Sequence, residues 1–454
     1  MLITNNKNLH RSLLLYILIA VFVSTLLVPS DVQARVKHRK HSRSKSHVGR
    51  HHKKKRAARV IVEKIDVSSV VGIEGYETWL SEQMSKYGVT GASVAVAKNG
   101  QVVYAKGFGY ANRYANEPVT SKTLFRVASV SKAVTAVSIM KLCEDGKLSL
   151  QDKVFRVLND FTPLNYSTSS DPRIYDITVQ QLLQMSGGWN RKRSGDPVNY
   201  PHAVIAAKLA GKRPPADIDT TVSYWMGKPL DFDPGTDYAY SNIGYVILGK
   251  IIERVSGMPY EKYVKSEILN PMGIIAMRLG KTLQKDRAEG ETLYYPTAGQ
   301  KLKPSIFVGE YGLVSEEYGA EFALETHSAD GAWIASASDL VKFITTVAGD
   351  NPAVSPPISQ TSLRLMLSRP ALSHWNNKAE YFGMGWNVEE GGASCKSLWY
   401  RSGSLPGTLA YVGRREDAVA VALIVNSRPK NWHRFNQISR AALWRAVDTE
   451  KMWQ

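Results

Sequence analysis

Cysteine is scarce in this chain: two in 454 residues, Cys143 and Cys395. Neither has a cysteine or histidine neighbour at metal-ligand spacing, so no zinc site is expected. Nothing in the pattern brings the two together, and their pairing stays open. Acid is missing from one stretch altogether. Between Arg35 and Arg59 there are twelve Lys/Arg, five His and no Asp or Glu. Most of the net charge of +18 sits there, so the remainder is only mildly basic. The stretch also lacks the aromatic side chains that stack on bases, and a nucleic-acid partner is not expected.

Long apolar runs are absent beyond residue 28, so no later segment is apolar enough to span a bilayer. The one such run, Leu13 to Val28, comes after Lys7 and Arg11 and precedes the small-residue site Val32-Gln33-Ala34. Residues 1–34 therefore read as a secretory signal peptide, with an uncleaved membrane anchor as the alternative. The mature protein is expected to be exported, periplasmic or cell-envelope associated. Residues 35–62 read as a disordered basic linker, because they have no apolar periodicity and repel themselves. That linker is either simply solvated or, through residues 35–59, a tether to an anionic envelope polymer or lipid.

Residues 63–454 are globular in texture. The chain is 44% hydrophobic and 22% charged, and long enough to bury a large core. Helical spacing runs from Glu74 to Lys86 (Tyr76, Trp79, Leu80, Met84). Two β-rich runs then flank Asn99-Gly100, a strong hairpin signal, and Phe108 to Asn112 extends the second strand. After Asp145 the texture changes to helices and long loops, with helical patterns at Thr178–Met185, Tyr245–Val255 and Tyr260–Leu269. Residues 286–331 are acidic, aromatic and weakly patterned, and read as loops. A helix is expected at Ser338–Val347. The end is β-rich, with strands expected at Gly383–Val388, Ser397–Ser402, Thr408–Arg414 and Ala418–Val425, closed by a helix at Arg434–Val447. The fold class is α+β: an antiparallel sheet from both chain ends (63–140 and 330–454), flanked by helices, with a mostly helical insertion at 141–329.

Phe125 to Cys143 reads as a buried helix that presents Ser129 and, one turn later, Lys132. At i and i+3 the two side chains leave one face. An apolar setting would desolvate the lysine, and a neutral amine beside a hydroxyl at a helix N-terminus can make a serine nucleophilic. Ser-x-x-Lys alone is a weak signal, for it recurs at Ser42/Lys45, Ser138/Lys141 and Ser427/Lys430. Only Ser129 stands at the entry of a buried helix. Such a serine needs a second proton carrier. Tyr240-Ser241-Asn242, in a loop before a core helix, offers one. A third stretch, Trp399-Tyr-Arg-Ser-Gly-Ser-Leu-Pro-Gly407, carries a cation, a hydroxyl and a glycine that allows close approach to the backbone.

In this order, Ser-x-x-Lys, Tyr-x-Asn and cation-x-Gly resemble the serine β-lactamase and penicillin-binding protein superfamily. The branch most similar holds class C β-lactamases, D-alanyl-D-alanine carboxypeptidases, D-aminopeptidases and esterases. The resemblance extends to Glu144-Asp-Gly-Lys-Leu-Ser-Leu-Gln-Asp152, Ile177-Thr-Val-Gln-Gln-Leu-Leu183, Asp233-Pro-Gly-Thr236 and Ser402-Gly-Ser-Leu-Pro-Gly407. It implies that Ser129 is acylated, that Lys132 takes or relays its proton and that Tyr240 serves as base and acid. Asn242 would orient the acyl amide, and the Ser129 and Ser404 amides would hold the oxyanion. Arg401, Ser402 and Gly403 would line the substrate. Arg401 stands where the family usually has Lys or His; it could grip a carboxylate but cannot carry a proton. Met185 replaces the usual His in the Gln184–Gly188 turn, which implies a change in pocket polarity. No cofactor or metal is implied. The reading is an exported serine hydrolase acting through an acyl-enzyme on amide or ester bonds of cell-wall peptide or a small molecule. The alternatives are a true β-lactamase and a non-catalytic peptidoglycan- or polyanion-binding protein.

Overall fold

The computed structural model describes residues 66–164, 171–196, 201–392 and 396–450. The chain divides into Met1–Glu63 and Lys64–Gln454, and all described residues lie in the second unit. The leader, the basic linker and Cys395 lie outside the described residues. Cys143, at the end of its helix, is partly buried, and burial pushes its thiol up to about 11.

The folded unit is α+β. Helix α1 (Gly72–Tyr87) leads into β1 (Gly91–Lys98) and β2 (Gln101–Asn112). Asn99 and Gly100 both take positive φ (50° and 77°), the turn that matches the twist of a two-residue hairpin. A short β3 (Glu117–Pro118) comes next, then α2 (Ser131–Glu144), and further on α3 (Ile243–Ser256) and α4 (Ala337–Ala348). The chain closes with β4 (Glu380–Phe382), β5 (Asn387–Glu389), β6 (Leu398–Leu405), β7 (Thr408–Arg415), β8 (Val419–Val425) and α5 (Trp432–Thr449). These strands make one antiparallel sheet in the order β3-β2-β1-β8-β7-β6-β5-β4. The two chain ends meet where β1 pairs β8, with Val94 opposite Leu423 and Ala95 opposite Ala422.

The period-two alternation sorts the faces. Val94, Val96, Val421 and Leu423 point to one side, into a core with Tyr76 and Leu80 of α1 and Phe435 and Leu443 of α5. Ala95, Ala97, Ala420 and Ala422 point to the other, into the core shared with α2, α3 and α4. Small side chains on that face let α4 lie close against the sheet.

Two expectations need correction. Of the stretch expected as one strand, Gly383–Val388, residues 383–386 are instead the bend between β4 and β5, and only Asn387 and Val388 are strand. A Cβ at Gly383 would stand 2.3 Å from the Met366 carbonyl oxygen, and one at Gly385 (φ 88°) would stand 2.5 Å from Cβ of Ala136. The glycines are there to let the bend press on its neighbours. The helix expected from Phe125 begins only at Ser131. Phe125–Arg126 is a short strand paired with Trp333–Ala335, and Ala128–Val130 is a tight 3-10 turn. Ala128 has φ 50°, which no α-helix tolerates and which a residue with a side chain adopts at some cost.

Candidate active site

Every residue from Thr123 to Met140 is buried except Ser129. The 3-10 turn brings that one side chain out of the core. The turn is clamped by β6, whose Gly403 runs so close that a Cβ there would lie 2.3 Å from the Val127 carbonyl oxygen and 2.9 Å from the Ser129 nitrogen. From its motif, Gly403 was expected to admit a substrate. It also admits the backbone of Ser129 itself. Gly403 thereby sets the Ser129 amide one residue from Ser404, an arrangement suited to a pair of oxyanion donors.

Tyr240 and Asn242 come from the loop before α3. Backbone bonds zip this loop to the turn at 185–188: Ala239 N–H donates to the Met185 carbonyl, Gly235 N–H to Ser186, and Asp231 N–H to Gly188. Met185 itself (φ 55°) is buried in the core, away from the cavity wall expected for it. The turn positions Tyr240 through its main chain.

The Tyr240 hydroxyl lies 2.6 Å from Ser129 Oγ, and Lys132 Nζ donates to the same Oγ at 3.2 Å. Lys132 is fully buried, but its surroundings are less apolar than expected. Nζ also donates to Asn242 Oδ1 (2.8 Å) and to the carbonyl of Asp330 (2.8 Å), and faces the Asp330 carboxylate at 3.3 Å. Asn242 Nδ2 donates to Asp196 Oδ2 at 2.7 Å, so both ends of this amide are held by the protein.

Arg401 is 3% exposed. Its guanidinium donates from Nε to the Ser129 carbonyl (3.0 Å), from Nη1 to Asn387 Oδ1 (3.1 Å) and from Nη2 to the Tyr240 hydroxyl (3.1 Å). It is thus bonded to Ser129, Asn387 and Tyr240 while still bordering the cavity. The more accessible cation is Arg191, with its guanidinium 4.4 Å from the centre of the Tyr240 ring and 3.8 Å from Asp196. Burial alone would push the Tyr240 phenol up; Lys132 and Arg401, with the bond from Ser129, outweigh it and hold the phenol below its ordinary value. A lowered tyrosine beside a serine hydroxyl is equipped to take that proton.

Ser129, Arg191, Tyr240, Asn387 and Arg401 border a cavity of about 240 Å³, with Ser402 and Ser404 of β6 and Trp432 and Asn436 of α5; Lys132 lies behind Ser129. A larger cavity of about 550 Å³ between residues 204–208 and 303–310 is lined by none of the motif residues. So Ser129, Lys132, Tyr240, Asn242, Arg401, Ser402, Gly403 and Ser404 converge. Arg191, Asp196, Asp330, Asn387, Trp432 and Asn436 were not read from the sequence. None lies in a motif, and each reaches the site only through the fold.

The family model described as Beta-lactamase matches residues 77–443. The chain belongs to the beta-lactamase family. A protein of Escherichia coli K12, provisionally named a D-alanyl-D-alanine carboxypeptidase, is 30% identical over 206 residues, 44% of this chain and 45% of that protein. The chain thus matches under half the length of this curated relative. Among solved structures, an octameric penicillin-binding protein homologue from Pyrococcus abyssi superposes with a TM-score of 0.63 at 28% identity, covering 83% of this chain and 78% of that one. D-amino acid amidase from Ochrobactrum anthropi SV3, with L-phenylalanine amide, shares the fold with a TM-score of 0.62 at 22% identity, covering 82% and 97%. The family is one of serine hydrolases, to which a serine, lysine and tyrosine in mutual contact are well suited.

Proposed function

We propose that this member of the beta-lactamase family is an exported serine hydrolase, a peptidase or esterase that forms an acyl-enzyme on Ser129. The observation that carries the reading is Ser129 Oγ at 2.6 Å from the Tyr240 hydroxyl, with Lys132 Nζ and Arg401 Nη2 also donating to this oxygen pair. As Ser129 Oγ attacks a carbonyl carbon, its proton passes to the Tyr240 phenolate. The carbonyl oxygen, now negative, is held by the Ser129 and Ser404 amides. Tyr240 then returns the proton to the departing nitrogen or oxygen, leaving an ester on Ser129. Water, losing its proton to Tyr240, attacks the ester, and Ser129 leaves with that proton. Lys132 and Arg401 steady the negative charge on Tyr240 throughout.

The substrate in this reading is a cell-wall peptide or a small amide or ester. The half-exposed Arg191 supports a substrate with a carboxylate near the scissile bond. The names of the relatives, a carboxypeptidase and an amidase, agree with amide chemistry. The leader supports export, and the basic stretch at 35–59 supports attachment to an anionic envelope polymer.

The test is covalent labelling with a fluorescent penicillin and, separately, a fluorophosphonate, using Ser129→Ala as control and mass spectrometry to locate the adduct. Persistent penicillin labelling at Ser129 supports a slowly deacylating cell-wall enzyme. Transient labelling with antibiotic turnover makes the protein a β-lactamase, and phosphonate labelling alone makes it an esterase or peptidase with a different pocket. No adduct with either probe overturns the reading in favour of a binding protein.

A further inference from the structure

Behind the nucleophile lies a buried acid–imidazole pair that the reaction above does not use. Asp330 sits in the single helical turn Ser328–Gly331, and His327 ends the turn before it, Leu324–His327. Both are 1% exposed. Lys132 Nζ donates to the Asp330 carbonyl at 2.8 Å and faces its carboxylate oxygen Oδ2 at 3.3 Å. His327 Nδ1 stands 2.9 Å from the same Oδ2 and 3.1 Å from Oδ1. The imidazole is in turn packed on Phe322, ring centres 5.4 Å apart. The result is a line from Ser129 Oγ through Lys132 Nζ and the Asp330 carboxylate to His327.

We infer that Asp330 and His327 are positioning residues for Lys132. Lysine has four rotatable side-chain bonds, and the bond to Ser129 Oγ, at 3.2 Å, is among the longest Nζ makes. Left to that contact alone, Nζ would not hold one place. The main-chain and side-chain oxygens of Asp330, with Asn242 Oδ1, fix the amine from behind. His327 Nδ1 reaches both oxygens of the carboxylate, most closely the Oδ2 that faces Lys132, and so fixes the orientation in which that oxygen meets the amine. A buried carboxylate is retained only where such partners satisfy it, and here one partner is the lysine of the site. The Lys132 amine is thereby aimed at Ser129 before any substrate arrives.

This inference rests on the proposed role of Ser129, so its test has one readout that does not need catalysis. The first measurement is the amine resonance of Lys132 in protein labelled with ¹⁵N-lysine, assigned with Lys132→Met. The second is the acylation rate of Ser129 by fluorophosphonate, resolved into a maximal rate and a half-saturating concentration. In Asp330→Ala, where the main-chain carbonyl and Asn242 Oδ1 still accept from Nζ, the amine signal is expected to shift and lose much of its protection. The maximal acylation rate should fall by about ten- to a hundred-fold, the scale on which groups behind a functional side chain act, with half-saturation unchanged. Asp330→Asn keeps an oxygen for Nζ and should lose less, and His327→Leu, which leaves the carboxylate in place, should also slow acylation. These two variants decide the matter if Asp330→Ala does not fold. Loss of that protection in a protein that never labels supports the positioning and overturns the hydrolase reading. A signal and a maximal rate that persist in Asp330→Asn and His327→Leu overturn the positioning role, whatever happens to thermal stability.

Discussion

Tyr238 and Tyr240 stand two positions apart in one loop and meet opposite electrostatic fates. Tyr238 packs among His374, Trp375 and Phe382, and burial pushes its phenol up to about 12. Tyr240, also desolvated, faces Lys132 and Arg401 and is lowered. In the proposed reaction that divergence favours Tyr240 over Tyr238 as the group that takes the serine proton. Tyr240→Phe removes the carrier but keeps the ring; a loss of about a hundred- to ten-thousand-fold in Ser129 acylation is expected, read by stopped-flow labelling. Arg401→Gln removes a cation beside the phenolate. The phenol should then titrate higher, so the rise of acylation with pH should move to higher pH than in the wild type. A pH–rate profile that stays put would show that Arg401 does not steady the phenolate. Ser-x-x-Lys and Tyr-x-Asn were legible as residue types at fixed spacing. Asp330 was not, because it reaches Lys132 across 198 positions, from a stretch that reads as loop.

The helices and strands were legible wherever the pattern was periodic. The Asn99-Gly100 hairpin, α1, α4 and the three long C-terminal strands lie close to the expected ranges, since alternation and turn chemistry act locally. The sequence misled where a glycine or a strained residue served a distant neighbour. Ala128 breaks the expected helix so that Ser129 leaves the core, and Gly403 makes room for that break. Gly403→Ala would put a methyl against the Val127 carbonyl and the Ser129 nitrogen. Such overpacking should cost about 1–3 kcal/mol of stability. A displacement of the turn by about 1 Å should also slow acylation about a hundred-fold. Denaturant melts together with labelling rates check both; a loss of stability with full activity would mean that the strand yields instead of the turn.

Across the whole fold, the sheet joins segments more than three hundred residues apart through β1 and β8, and the Ser129 turn is held against β6 from the later of them. The basic stretch at 35–59 is expected to act separately from this fold. Binding of the mature protein to vesicles containing anionic lipid should fall steeply with added salt and disappear when residues 35–59 are deleted, with Ser129 labelling unchanged. Binding that survives the deletion would move the attachment to the folded unit.

The fold class, the family resemblance and the residue types Ser129, Lys132 and Tyr240 that converge in the cavity region could be read from the linear chain. Those depend on periodicity and on residue types at short spacing, which a linear chain displays. Only the tertiary structure decided that Lys132 is met by a carboxylate, that Arg401 serves Ser129 and Tyr240, and that Arg191 borders the cavity. Electrostatic partnership is set by distance in space, and here the partners lie up to 272 positions apart along the chain.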